Sequence, residues 1–234
     1  MNRTFFWTIL ICTALPVMVH SQEELLLKEH EETLSERGPT MNIGADFMSR
    51  YIWRGIDFGN SPAIQPNIYF SWQGLNIGTW GSYAFSAQSI RINDTTVENI
   101  GHYSEMDLYI CYTLKWFTLM VFDYFTIDGL NANEGNRYFD YNNNTTGHTF
   151  EISFTFDGPE KCPLQFIAAT LVYGADKNKD TLGIYGSGDK NNFSTYFELA
   201  YNFNFPRIGL EMRPFIGGTP FGSSWYGPHA GFTL

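Results

Sequence analysis

Two arginines four residues apart, Arg50 and Arg54, sit among bulky apolar residues in the stretch "SRYIWRG". Eight more charged residues keep similar company: Asp46, Glu105, Asp107, Glu151, Glu198, Arg207, Glu211 and Arg213. Arginines and carboxylates gathered on one side of a fold can do two kinds of work. They can pair and stiffen an interior, or they can line a polar path and select what passes along it. Catalysis needs a different set, a nucleophile beside a base that a third group orients. His30 lies near the N-terminus, while His102, His148 and His229 fall where apolar alternation gives way to polar stretches. Neither a Gly-x-Ser-x-Gly elbow nor a spaced metal-ligand cluster accompanies them, so no enzyme, cofactor or metal is expected. "RINDTTVEN" and "DKNKD" hold enough carboxylate for a divalent cation, but solvated loop charge accounts for both.

The elements that carry these residues repeat every two positions rather than every 3.6. Successive side chains of a strand face opposite sides, and that alternation runs through the chain from Asn42 onward. In Thr149–Phe156, Phe150, Ile152, Phe154 and Phe156 alternate with Thr149, Glu151, Ser153 and Thr155. Glu105–Leu114, Phe193–Phe203 and Arg207–Ile216 repeat the pattern, each with its carboxylates or arginines on the polar side. Further strands are expected at Asn42–Arg54, Ile64–Trp72, Leu75–Phe85, Trp116–Ile127, Leu164–Tyr173 and Gly231–Leu234. In the first, Ile43, Ala45, Phe47, Tyr51 and Trp53 share one face, and Asp46, Met48, Arg50 and Arg54 the other.

Composition agrees. Only 16% of the 234 residues are charged while 18% are aromatic, against about a quarter charged in a typical soluble domain. Mean hydropathy is nonetheless slightly negative, which excludes a bundle of membrane helices. Residues 1–21 read as a secretory signal, with Arg3, the apolar run "FFWTILICTALPVMV" and cleavage near Ser21-Gln22. Residues 22–40 form an acidic tail expected in the periplasm. Two cysteines remain after the signal, Cys111 and Cys162, too few to define a disulfide framework. A formal net charge of −10 argues against nucleic acid as a partner.

Connection lengths carry the next inference. Gln73-Gly74, Lys115, "DGPEKCP" and "NFP" are short. Between them come long polar stretches: "GIDFGNSPA", "SAQSIRINDTTVENIGHY", "DGLNANEGNRYFDYNNNTTG", "ADKNKDTLGIYGSGDKNN" and "GGTPFGSSWYGP". Strict alternation of short turns and long loops is the habit of transmembrane barrels, and strands of about ten residues cross a tilted bilayer path. A closed barrel is also the β arrangement that satisfies every backbone group inside lipid. The expected fold is all-β: an antiparallel up-and-down transmembrane β-barrel over residues 41–234, with about ten strands visible. The ten charged residues then face the lumen, since an arginine facing mid-bilayer lipid costs ~2–4 kcal/mol. Trp53, Trp72, Tyr83, Tyr112, Trp116 and Phe203 suit aromatic girdles.

The segment "SRYIWRGIDFGNSPAIQPNIYFSWQGLNIGTWGSYAF" resembles the TorF-type porin family of bacterial outer-membrane proteins. Tyr51, Arg54 and Gly55 match the family's first motif, Pro62, Ala63 and Gln65 its second, and Gly74, Gly78 and Trp80 its third. "SEMDLYICYTL" and "FELAYNF" resemble its later strands. The resemblance implies an outer-membrane channel without a catalytic residue. Members continue past the point where this chain ends at "AGFTL", so truncation and twelve strands in the intact protein are expected. The expected partners are outer-membrane lipid, ions or small polar solutes, and the barrel-assembly machinery. The expected function is passive diffusion through a narrow charged lumen. A structural or surface-recognition barrel acting through its long loops is the alternative, and a lipid-modifying enzyme at the rim is a third reading without its motifs.

Overall fold

The computed structural model describes residues 38–91, 97–127, 137–183, 188–226 and 229–233. The signal-like segment, nearly all of the acidic tail and His30 lie outside the described residues. Thirteen strands and no helix form among those described. They are β1 Thr40–Met48, β2 Tyr51–Trp53, β3 Ile56–Phe58, β4 Ala63–Trp72, β5 Leu75–Arg91, β6 Val97–Leu114, β7 Phe117–Ile127, β8 His148–Asp157, β9 Leu164–Gly174, β10 Thr195–Tyr201, β11 Phe203–Phe205, β12 Leu210–Gly218 and β13 His229–Thr233.

Eleven of the strands make one antiparallel sheet in which sequence neighbours are spatial neighbours, in the order β1-β4-β5-β6-β7-β8-β9-β10-β12, with β13 and β11 both on β12. β11 continues β10 beyond a break at Asn202, so the sheet has ten strand positions. The remaining two strands, β2 and β3, pair only with each other. Among the described residues no ladder joins β1 to β13.

The alternation in the sequence becomes two chemically distinct faces. On β4, Ala63, Gln65, Asn67, Tyr69 and Ser71 are buried while Pro66, Ile68, Phe70 and Trp72 are exposed. The outer face continues in exposed Ile77, Tyr83, Leu108, Ile110, Leu119, Ile152, Phe154, Phe197 and Leu199. So the greasy side is the open one, and the polar and aromatic side is enclosed, the reverse of a water-soluble sheet. Trp72, Tyr83, Tyr112 and Phe203 lie on this exposed face, and Trp116 is exposed in the turn between β6 and β7.

The turn between β4 and β5 rests on backbone that few residues adopt. Gln73 and Gly74 both have positive φ, 49° and 88°, which is the two-residue turn whose twist suits a hairpin. Gly78 is held by space instead. A Cβ there would lie 2.5 Å from the Tyr109 hydroxyl and 2.6 Å from Tyr69 Cβ. Gly78→Ala is therefore expected to lose about 1–3 kcal/mol, the usual cost of overfilling a packed interior. Urea unfolding followed by tryptophan fluorescence measures it.

Three expectations about elements need correction. The first strand does not run from Asn42 to Arg54; it stops at Met48, and residues 51–58 fold back as the β2–β3 hairpin. The stretch "SAQSIRINDTTVENIGHY" is mostly strand, since β5 and β6 extend to 17 and 18 residues and leave only 92–96 between them. Apolar residues in it are few and irregularly spaced, at Ile90, Ile92, Val97 and Ile100, so no sustained alternation announces the ladder. Finally, β12 starts at Leu210, leaving Arg207 in a turn.

Candidate functional site

The β2–β3 hairpin lies on the inner face of the large sheet. Its turn is Arg54-Gly55, both at positive φ, 45° and 83°. Such a turn favours Asn-Gly, and an arginine in the left-handed region costs roughly 1–2 kcal/mol. The buried ion pair that the Arg54 side chain makes with Glu151 offsets that cost.

Depth is fixed by register. Met48 pairs with Ala63 and Ala63 with Ala84 near the rim of long connections, while Trp80 lies four residues farther down, about 13 Å. The Tyr51 ring packs on Trp80 at 5.3 Å between centroids, and the Trp53 ring meets Tyr124 of β7 at 5.4 Å. Arg54 reaches Glu151 of β8 and stands over the ring of Tyr196 of β10 at 4.9 Å. In a flat sheet β5 and β10 would be about 24 Å apart, five strand spacings. Residues 51–54 touch both, so the sheet curls around the hairpin.

Glu151 is the centre of the contact. Its carboxylate accepts from both Arg54 Nη atoms, Nη2 at 2.9 Å, from the Tyr226 hydroxyl at 2.6 Å and from the Tyr124 hydroxyl at 3.2 Å. Glu151 has no exposed surface and the Arg54 side chain is 3% exposed. The guanidinium also faces Trp53 at 4.7 Å and Tyr226 at 5.2 Å. A buried ion pair survives only with such additional bonds, because each charge has given up its water.

A second pair lies on the neighbouring strands. Arg213 donates to Glu198 at 2.5 Å and to Gln165 from Nε at 2.9 Å, and the Tyr196 hydroxyl donates to Glu198 at 2.6 Å. Toward β6, Tyr103 donates to Glu105 at 2.8 Å, and Asp107 is fully buried beside it. Arg54, Glu105, Asp107, Glu151, Glu198 and Arg213 are thus buried on the inner face. Asp46 is half-buried opposite Gln65.

Arg50, Arg207 and Glu211 are elsewhere. Arg50 is exposed at the base of the hairpin, where it bonds Asp57 at 2.7 Å and Asn60, because β1 has already ended. Arg207 is exposed in the turn before β12, and Glu211 is exposed beside Asn204 at the same end. Tyr51 and Trp53, expected on the lipid side, are instead 4% and 3% exposed in the centre of the fold.

All but one of the motif residues gather around this hairpin. Tyr51, Arg54 and Gly55 are in it, and Trp80 is its seat. Gly78 leaves room for Tyr69 and Tyr109 beside that seat. The Pro62 carbonyl accepts from Phe85 N at 2.8 Å where β4 leaves the hairpin, and Ala63 and Gln65 continue the inner face. Gly74 closes the opposite end of the same strand pair. The hairpin had a sequence signal: Tyr-Ile-Trp and Ile-Asp-Phe flank a two-residue connection ending in glycine.

At the rim, the long connections are bonded to one another. Lys177 Nζ donates to the Asn143 carbonyl at 2.6 Å, and Asn192 donates to the Gly222 carbonyl at 3.0 Å. Asp176 binds the Ser194 amide and hydroxyl at 2.8 and 2.6 Å; its burial raises the carboxyl's pKa against these bonds. The Asp140 carboxyl is held below its ordinary value by the Thr145 hydroxyl and the Asn142 amide. His148 is buried on the outer side, between Asp123 at 2.7 Å and the Tyr138 carbonyl at 2.6 Å. His102 lies against the Ala84 carbonyl at 2.9 Å. Among the described residues no three His, Cys, Asp or Glu side chains assemble as a metal site, and Cys111 and Cys162 are unpaired.

A family model described as a bacterial protein of unknown function (Gcw_chp) matches residues 32–226. No curated protein and no solved structure matches the chain.

Proposed function

The chain belongs to the Gcw_chp family of bacterial proteins of unknown function, and from its inner face we propose an outer-membrane porin of the TorF type, stoppered by its own hairpin. In this reading the sheet closes into a barrel in the outer membrane, delivered there through the signal-like N-terminus and the assembly machinery. Ions or small polar solutes pass when the β2–β3 hairpin leaves the lumen. The observation that carries the proposal is the inversion of faces: apolar side chains exposed outside, paired charges enclosed within. Lipid is the solvent for which that inversion is stable.

The hairpin supports gating rather than a permanently open path. Among the described residues it shares no ladder with the sheet, and side-chain contacts hold it, so it can move as a unit without breaking backbone pairing of the wall. Planar-bilayer recording tests this on the full chain and on a variant with residues 51–58 replaced by a short Gly-Ser link. The wild type is expected to stay closed with brief openings, and the deletion to conduct steadily. A correctly folded deletion variant that carries no current would sink the porin reading.

A second reading has its own observation. The inner face is tightly packed and the rim connections are knitted together. Both suit a sealed barrel that presents its loops for surface recognition, the outcome that a silent deletion variant would favour.

A further inference from the structure

The seat of Arg54 has the chemistry of a receptor for an organic cation. Glu151 supplies two carboxylate oxygens, Tyr124 and Tyr226 orient them by donating at 3.2 and 2.6 Å, and the Tyr196 and Tyr226 rings lie 4.9 and 5.2 Å from the guanidinium carbon. Bidentate carboxylate bonding plus aromatic faces is the arrangement that prefers a planar guanidinium over a compact, strongly hydrated ion. Three of the four residues come from wall strands β7, β8 and β10, while the cation is brought by a separate two-stranded unit. Ligand group and receptor therefore belong to parts that share no backbone pairing.

The geometry points to Arg54 as an internal stand-in: with the hairpin withdrawn, the Glu151–Tyr124–Tyr196–Tyr226 site takes up guanidinium-bearing or primary-ammonium solutes in its place. This inference rests on the reading of the hairpin as a removable plug, and it names the class of solute such a porin would favour. Departure of Arg54 leaves Glu151 buried among aromatic rings without its counter-charge, a costly state that an entering cation relieves. An anion gains nothing there. The arginine at a turn position that favours asparagine fits the same account, since its side chain matches the receptor at the expense of the backbone.

The test uses the full chain carrying Arg54→Ala, folded into phosphatidylcholine vesicles and checked by its heat-dependent gel mobility. Methylguanidinium, methylammonium and sodium, all as chlorides, are titrated while tryptophan fluorescence and melting temperature are followed. Methylguanidinium is expected to bind and raise the melting temperature, at least about tenfold more tightly than sodium. Wild type and Arg54→Ala/Glu151→Gln are expected not to respond. Equal response to sodium and methylguanidinium, or none, overturns the proposal. Should Arg54→Ala fail to fold, Arg54→Lys replaces it, and methylguanidinium must then compete with the lysine and shift the same signal. Binding by Arg54→Ala together with a folded 51–58 deletion variant that carries no current would overturn the porin reading and keep the site; steady current through that deletion variant without cation preference would do the opposite.

Discussion

Glu151→Ala is expected to destabilise the fold by about 3–5 kcal/mol, the range for removing one partner of a buried ion pair. The size follows from what is left behind. Arg54 would keep its charge beneath three aromatic rings with almost no exposure to water. The Tyr226 and Tyr124 hydroxyls would lose their shared acceptor as well. Part of the cost is avoidable in a way that identifies its origin. The double variant Arg54→Met/Glu151→Met removes both charges at similar volume and is expected to recover most of the loss, because apolar replacements of a whole buried pair are often neutral. Urea unfolding in lipid vesicles, read through tryptophan fluorescence, measures all three proteins. A single-variant loss below about 1 kcal/mol would mean that water reaches Glu151 and that the pair is weaker than its burial implies.

On the proposed barrel reading, Ile152→Arg is expected to cost about 2–4 kcal/mol in a bilayer, the penalty for an arginine near mid-depth on a lipid-facing strand. Ile152 is the immediate neighbour of Glu151 and faces the other way, 44% exposed, between Val121 of β7 and Thr170 of β9. The two substitutions therefore probe opposite sides of one strand. If the outer face meets water, an arginine there is nearly neutral and helps solubility. If it meets lipid, the variant folds poorly into vesicles while remaining no worse in urea-solubilised form. Folding yield by gel mobility separates the cases, and equal yields for Ile152→Arg and wild type would refute a lipid-facing surface.

The ten-position sheet was legible because one rule, apolar on every second residue, holds wherever one face is enclosed and the other greasy. Thr149–Phe156 differs from the observed β8 by a single residue at each end. Glu105, Asp107, Glu151, Glu198 and Arg213 needed nothing beyond that parity, and all are buried on the inner side. The same rule failed at Tyr51 and Trp53, since parity within a continuous strand cannot register that the strand has ended. After Met48 the chain starts a second ladder, and its alternation belongs to a different surface. Arg50 was misplaced for that reason. Arg207 and Glu211 failed for another: parity says which face a residue takes, not whether the strand still has a wall opposite it. The partnership of Arg54 with Glu151 and Tyr226 spans 97 and 172 residues, and no local pattern encodes such contacts.

Those separations bear on the order in which the molecule can assemble. Residues 51–58 close a two-residue turn and can pair within microseconds, as isolated hairpins do. Their seat is completed only when β8, β10 and the chain around Tyr226 arrive. Contacts of long sequence separation form slowly. Local closure can thus put the hairpin in place ahead of its container, so that the wall strands wrap around a mandrel rather than leave a hollow to be filled afterwards.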